Sequence, residues 1–126
     1  FMVFDEVDTG VEFALRLRDA VLDTDWPARG LPAGTSLRIG MHTGPVFEAP
    51  DPLIGRSNYF GSHVVRAARI EPVAVPGAVY VSAELAYQLA ASGATQFATD
   101  YLGVLPLAKS YGTGPLYRLR RAEEAE

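Results

Sequence analysis

Residues 58–71 read Asn-Tyr-Phe-Gly-Ser-His-Val-Val-Arg-Ala-Ala-Arg-Ile-Glu, and this stretch decides the fold. Two aromatic residues and Gly61 form a turn, and small and aliphatic residues follow without a break until Pro72. Because glycine and proline punctuate local structure, the pattern predicts a helix over residues 61–71. This helix carries arginines at positions 66 and 69.

The composition indicates one globular domain, or part of one, of 126 residues. Hydrophobic residues make up 48% and charged residues 21%, and no apolar run approaches the roughly 20 residues of a membrane segment. The net charge of −4 argues against broad nucleic-acid binding, which uses a basic face. The sequence has no cysteine, which excludes disulfides and thiolate metal sites and fits a cytoplasmic location.

The remaining elements predict an α+β sandwich, with helices packed on a mixed sheet. The uninterrupted apolar run 1–4 predicts a buried strand, and Asp8 or Thr9 is expected to cap the helix that follows. The proline- and glycine-containing segment 48–57 is predicted to be a loop, and Ser82 to cap a helix through about residue 90. Further strands are predicted at 37–41, 79–81, 96–99, 104–109 and 115–119.

Both ends of the chain lead to expectations of their own. A sheet that begins at Phe1 has a bare apolar edge, which invites pairing with other backbone. Upstream strands or a dimeric partner would cover that edge, and upstream strands are favoured because position 1 is not Met. The acidic tail 123–126 is expected to be a frayed, solvated end.

Four motifs in order resemble class III nucleotidyl cyclases over almost the whole chain. Residues 58–71 resemble the signature helix of that family, and residues 37–46 resemble the R-I-G-x-H-x-G strand and turn that precede it. Residues 76–82 resemble the following P-G-x-[IV]-x-[VI]-S strand and cap, and residues 107–119 resemble the final hairpin. The resemblance implies a ferredoxin-like class III cyclase fold without its N-terminal strands. Residues 1–126 would then be the C-terminal portion of a single cyclase homology domain.

The family resemblance also implies a reaction and its partners. These enzymes close a nucleoside triphosphate into a 3′,5′-cyclic nucleotide for intracellular signalling, at sites shared between two domains paired head to tail as a homodimer or heterodimer. Two aspartates hold two Mg²⁺ or Mn²⁺ ions, and both precede the strand that residues 1–4 resemble. Asp5 and Glu6 follow that strand and do not match, so no metal ligand is assigned in this chain. The isolated segment is therefore expected to be inactive.

Four residues stand at substrate positions of the family, two of them as departures from the family's residue type. Arg69, eight residues after Gly61, matches the arginine that stabilises charge on the α-phosphate; otherwise it is a surface arginine in an ion pair. Lys109 matches a triphosphate-binding lysine, with a solvated surface lysine as the alternative. Asn58 stands where adenylyl cyclases commonly have an aspartate that binds the base, although it can equally satisfy its own turn. Val65 replaces an asparagine that orients the ribose, and valine cannot form that hydrogen bond.

The two histidines are not assigned to the chemistry. His42 ends an apolar strand and is expected to be a packed, hydrogen-bonded residue. His63 lies in the first turn of the signature helix, where it could face the groove. With no second histidine or cysteine nearby, no zinc site is expected.

Two functions therefore stay open. One is a nucleotidyl cyclase whose metal aspartates lie upstream or on a partner. The other is a degenerate, non-catalytic cyclase homology domain that binds a nucleotide, or only dimerises, to regulate attached domains. Val65 and Asn58 motivate the second.

Overall fold

The computed structural model describes residues 1–125, and the elements below belong to that range. Its helices and strands are α1 (Val7–Leu22), β1 (Ile39–Met41), β2 (Phe47–Asp51), β3 (Arg56–Phe60), α2 (Ser62–Ile70), β4 (Val79–Ser82), α3 (Ala83–Ala91), β5 (Phe97–Pro106) and β6 (Thr113–Arg121). Short 3₁₀ turns occupy Pro27–Arg29, Glu71–Val73 and Ala108–Ser110.

The main sheet is mixed, as predicted. Its strand order is β1-β4-β6-β5; β1 runs parallel to β4, and the β4–β6 and β6–β5 pairs are antiparallel. Strands β2 and β3 form a separate two-stranded hairpin that leads directly into α2.

Strand β4 lies at the centre of the core and is buried on both faces. Because side chains alternate along a strand, Val79 and Val81 pack with residues of α1 and α3, whereas Tyr80 packs with Ile70 of α2 on the opposite face. Helices therefore cover both faces of β4, and α2 is held by Ile70, which has no exposed surface.

Several sequence-based boundaries were wrong. Residues 1–4 form no strand, and Phe1 is 77% exposed, because no backbone within residues 1–125 pairs with them. Segment 48–57 is mostly hairpin instead of loop, with Pro50 opposite Ser57. A two-stranded ribbon tolerates this proline because an edge strand does not need every N–H. The predicted strands 96–99 and 104–109 are one strand, β5, with a register irregularity between Tyr101 and Gly103.

The two predicted helix caps had different outcomes. Glu6 is the N-cap of α1 and makes no side-chain cap bond, while Asp8 lies inside the first turn and accepts from the Thr9 N–H. The prediction of Asp8 or Thr9 was therefore wrong. Ser82 is confirmed as the cap of α3, since its Oγ accepts from the Leu85 N–H at 3.3 Å.

The acidic tail is tied to α1, which contradicts the expectation of a frayed end. Buried Arg18 donates to both carboxylate oxygens of Glu124, at 2.7 and 3.2 Å, and Arg121 donates to Asp19 at 2.6 Å. The sequence signal for this contact was Arg18, which lies on the apolar face of α1. Once its aliphatic stem is buried, its charge is stabilised by a nearby carboxylate. The prediction for Glu126 lies outside the described residues.

Replacing Glu124 by glutamine is expected to destabilise the fold by about 1 kcal/mol near pH 7, because its partner Arg18 is buried and the carboxylate is partly exposed. Hydrogen bonds from Arg18 lower the pKa of Glu124 below its ordinary 4.5. The contribution is thus present above pH 4.5 and disappears as the pH falls through the lower folded value. Urea unfolding at pH 7 and pH 3 measures both effects, with Glu123→Gln as the control. Equal stability of both variants at pH 7 would contradict the assignment.

Candidate functional site

Helix α2 begins directly after Gly61, whose backbone φ is +129°. Residues with a Cβ are strained in this conformation. Gly61 therefore allows the hairpin to turn sharply into the helix. The helix begins without a side-chain cap, and the Val65 N–H bonds to the Gly61 carbonyl at 3.3 Å.

Val65 and Arg69 lie one turn apart on the outer face of α2, opposite the buried Ile70 face. Val65 is 38% exposed. Arg69 is half-buried, and its side chain forms no ion pair or hydrogen bond with any of residues 1–125. The ion pair that a purely structural interpretation requires is thus not made within the described chain.

Lys109 lies in the turn Ala108–Ser110, which packs against α2. Lys109 and Ser110 adopt left-handed backbone conformations, with φ of +55° and +58°. Two successive non-glycine residues in this region cost roughly 1–2 kcal/mol each. The turn holds an exposed lysine beside the helix that carries Arg69.

Asn58 lies on β3, where its own hairpin uses both polar atoms of its amide. Its Nδ2 donates to Asp51 Oδ2 at 3.2 Å, and its Oδ1 accepts from the Tyr59 N–H at 2.9 Å. The first of these bonds crosses the β2–β3 ribbon. This local satisfaction fits the turn-stabilising interpretation of Asn58.

The structure brings the two histidines together, a contact that the sequence analysis missed. His42 Nε2 lies 2.8 Å from His63 Nδ1, and the rings stack with centroids 5.0 Å apart. On its other side, His42 Nδ1 lies 2.7 Å from the buried Ser82 Oγ. His42 is therefore packed and hydrogen-bonded, as expected. The available signal was that His42 follows β1, while His63 lies in the first turn of a helix packed against that strand.

Arg66 lies on the inner side of α2 with a buried Nε that has no hydrogen-bond partner. This Nε is 3.9 Å from Glu84 Oε2, and the same carboxylate oxygen is 3.4 Å from His42 Nδ1. A Cβ on Gly114 would stand 3.0 Å from the Arg66 guanidinium, so glycine leaves space for this arginine.

Burial lowers the pKa of His42 below its ordinary 6.5; Glu84 opposes this shift, and the charges of His63 and Arg66 add to it. The folded state thus favours the neutral ring. The stability that His42 contributes is present above pH 6.5 and falls as the pH drops below it.

A cleft of about 460 Å³ opens next to the histidines. It is lined by the N-terminal segment 1–7, the turn after β1, and the inner face of α2 at His63, Val64 and Ala67. Asn58, Val65, Arg69 and Lys109 are not among its lining residues. The predicted substrate residues therefore do not line this cleft.

No three histidine, aspartate or glutamate side chains within residues 1–125 converge to hold a metal ion. His42 and His63 face each other at hydrogen-bond distance, which leaves no room for an ion between those nitrogens. The described residues do not fit a two-metal site.

No helix within residues 1–125 is long and apolar enough to cross a membrane.

The sequence of this chain is similar to those of known proteins. The model of the family called Adenylate and Guanylate cyclase catalytic domain matches residues 2–117. A curated adenylate cyclase from Mycosarcoma maydis is 34% identical over 107 residues, covering 71% of this chain and 4% of that protein.

Solved structures share the fold at lower identity. Adenylate cyclases from Trypanosoma brucei, in their monomeric state, include a chain with a TM-score of 0.73 and 21% identity, covering 96% of this chain and 66% of that one. The guanylate cyclase domain of RhGC from Catenaria anguillulae, in complex with GTP, gives 0.71 and 22%, covering 95% and 62%. The non-canonical dimeric guanylyl cyclase domain of the RhoGC fusion protein from Blastocladiella emersonii gives 0.66 and 20%, covering 95% and 61%. The chain thus spans less than two thirds of each of these solved chains.

Proposed function

Because this chain belongs to the adenylate and guanylate cyclase catalytic domain family, we propose that it supplies the substrate half of a nucleotidyl cyclase site. The product is a 3′,5′-cyclic nucleotide made from a nucleoside triphosphate for intracellular signalling. The observation that carries this proposal is the juxtaposition of Arg69, on the outer face of α2, with the strained turn that holds Lys109 against the same helix.

The two cations suit different parts of a triphosphate. The guanidinium of Arg69 is a planar fork of donors that matches the oxygens of a phosphoryl group as charge grows on it. Lys109 offers a compact charge to the other phosphates. Both groups are accessible to solvent, and Arg69 has no competing carboxylate within residues 1–125.

The proposed site is completed by a second domain. The family uses divalent metal ions, which neutralise phosphate charge, but residues 1–125 do not fit such a site. We therefore place the Mg²⁺ or Mn²⁺ carboxylates on a partner domain, in a head-to-tail homodimer or heterodimer, or in sequence outside this chain. A solved relative in complex with GTP supports nucleotide binding by this fold, and a solved relative with a non-canonical dimer supports only its capacity to pair.

A second candidate is a non-catalytic domain that binds nucleotide or dimerises. Two observations favour it: the apolar, exposed Val65 at the expected ribose position, and the Asn58 amide that its own hairpin occupies. Leaving a ribose hydroxyl unpaired costs roughly 1–3 kcal/mol of binding.

Incubated alone with ATP, GTP, CTP or UTP and Mn²⁺, the 126-residue chain is expected to yield no cyclic nucleotide. Product from the chain alone would contradict the placement of the metal ligands outside it.

Lys109 is the single lysine of the sequence, so amine-directed labelling followed by peptide mass spectrometry reports on it. A triphosphate is expected to slow labelling of Lys109 several-fold. The α-amino group of Phe1 is the internal control.

The decisive assay adds a catalytically competent cyclase partner domain, or uses the chain within any longer protein that contains it. Cyclic product from one of the four triphosphates supports the enzyme. Protection of Lys109 without product under all these conditions supports the second candidate, and neither product nor protection contradicts both forms of nucleotide binding.

A further inference from the structure

The hydrogen-bonded side chains of Ser82, His42 and His63 connect four elements of the fold. Ser82 ends β4 and caps α3, His42 follows β1, and His63 lies in the first turn of α2. We propose that His42 and His63 form a proton-responsive pair that positions the first turn of α2 against the sheet.

Counting protons shows why the contact depends on protonation. Two neutral rings carry two N–H groups, and one of these hydrogens lies between His42 Nε2 and His63 Nδ1. The other lies on His42 Nδ1, where it donates to Ser82 Oγ, or on His63 Nε2, in which case the Ser82 hydroxyl donates to His42.

One added proton fills both outer positions and leaves the central hydrogen bond intact. A second added proton places hydrogens on both central nitrogens, which then face each other as donors only 2.8 Å apart. Two like charges would also meet there. The pair thus holds one extra proton and separates on the second.

The surroundings make this second step costly. The side chain of His42 is 2% exposed, so water screens its charge poorly. Arg66 of α2 adds positive charge, whereas the half-exposed Glu84 of α3 partly compensates for it. Further titratable groups at the same cleft are Asp5, Glu6 and Tyr59.

The packing around His63 links the pair to the turn after β1. A Cβ on Gly44 would stand 2.3 Å from His63 Nδ1, so the ring lies directly on the backbone of the turn after β1. With His42 on one side and Gly44 on the other, separation of the pair displaces the His63 ring into the adjoining cleft, and we propose that the first turn of α2 moves with it. Because α2 also carries Arg69, nucleotide affinity should follow the same titration; this consequence rests on the proposed function.

Proton-detected NMR tests the pair on the 126-residue chain, which contains only these two histidines. From pH 8 to pH 4.5, the ring signals are expected to show two coupled steps separated by at least about one pH unit. The amide signals of residues 62–65 should shift with the more acidic step. In His63→Phe, His42 should titrate in a single step and the pH-dependent shift of these amides should be lost.

Thr43→Val is the matched control, since it removes a neighbouring bond to Gln88 and should keep both steps. Two results in the wild-type chain would contradict the proposed histidine pair even if the variants fail to fold. One is independent single-site titration of the two rings, and the other is amide signals of α2 that do not shift with pH. Lys109 labelling in the presence of triphosphate at each pH tests the link to nucleotide. If protection is absent at every pH while the coupled steps remain, the proposed function fails and the pair stands.

Discussion

Replacing Arg69 by alanine is expected to lower the kcat for cyclic nucleotide formation by about 10²–10³-fold, with a much smaller change in KM. The physical reason is that the guanidinium is proposed to act on charge that appears in the transition state, and uncompensated charge there raises the barrier. The assay uses a preparation that makes cyclic product, with the metal carboxylates supplied by a partner domain or by further sequence.

Two variants make the Arg69 result specific. Arg69→Lys should recover only part of the lost rate, because a point charge cannot reproduce the planar fork of donors. Arg16→Ala should leave kcat unchanged, since Arg16 is an exposed residue of α1 paired with Glu12. An unchanged kcat in Arg69→Ala would remove this residue from the proposed site.

Replacing Gly40 by alanine is expected to destabilise the fold by about 3 kcal/mol, at the upper end of typical overpacking costs. A Cβ at this position would stand 2.4 Å from the Glu71 backbone nitrogen and 2.7 Å from its Cα. These are backbone atoms at the end of α2, so neither a rotamer change nor a flexible side chain can relieve the overlap.

Urea unfolding followed by far-UV circular dichroism measures this change. Gly34→Ala is the matched control, because a Cβ there meets no atom within 4 Å. This control should be neutral or slightly stabilising, since alanine restricts the unfolded chain. Equal midpoints for the two variants would show that β1 and α2 can separate at little cost.

The family and fold class could be predicted from the sequence because their signals are local. The four motifs depend on residues close in the chain, such as Gly61 before α2 and Ser82 before α3, whose caps and turns follow from backbone chemistry. The strand predicted at residues 1–4 was wrong, because its formation does not depend on local sequence alone. Its apolar run indicated burial, but a strand also needs a backbone partner, and residues 1–125 provide none.

In the candidate site too, the features set by local sequence could be predicted and those set by contacts between distant residues could not. The sequence placed Val65 and Arg69 one helical turn apart and identified Lys109 by its motif. It could not indicate that Asn58 bonds across its own hairpin, because that contact depends on the register of β2 with β3. The tie between Arg18 and Glu124 likewise joins residues that are remote in the chain.

Residues 58–71 by themselves determined the signature helix, its start after Gly61 and the spacing of its arginines, since helix geometry fixes which positions share a face. Only the tertiary structure decided what each face meets. It placed the Lys109 turn beside α2 and brought His63 onto His42, because these contacts arise when the sheet and helices pack together. The sequence therefore determined the family and the candidate residues, whereas packing decided which of them lie together and which are already occupied.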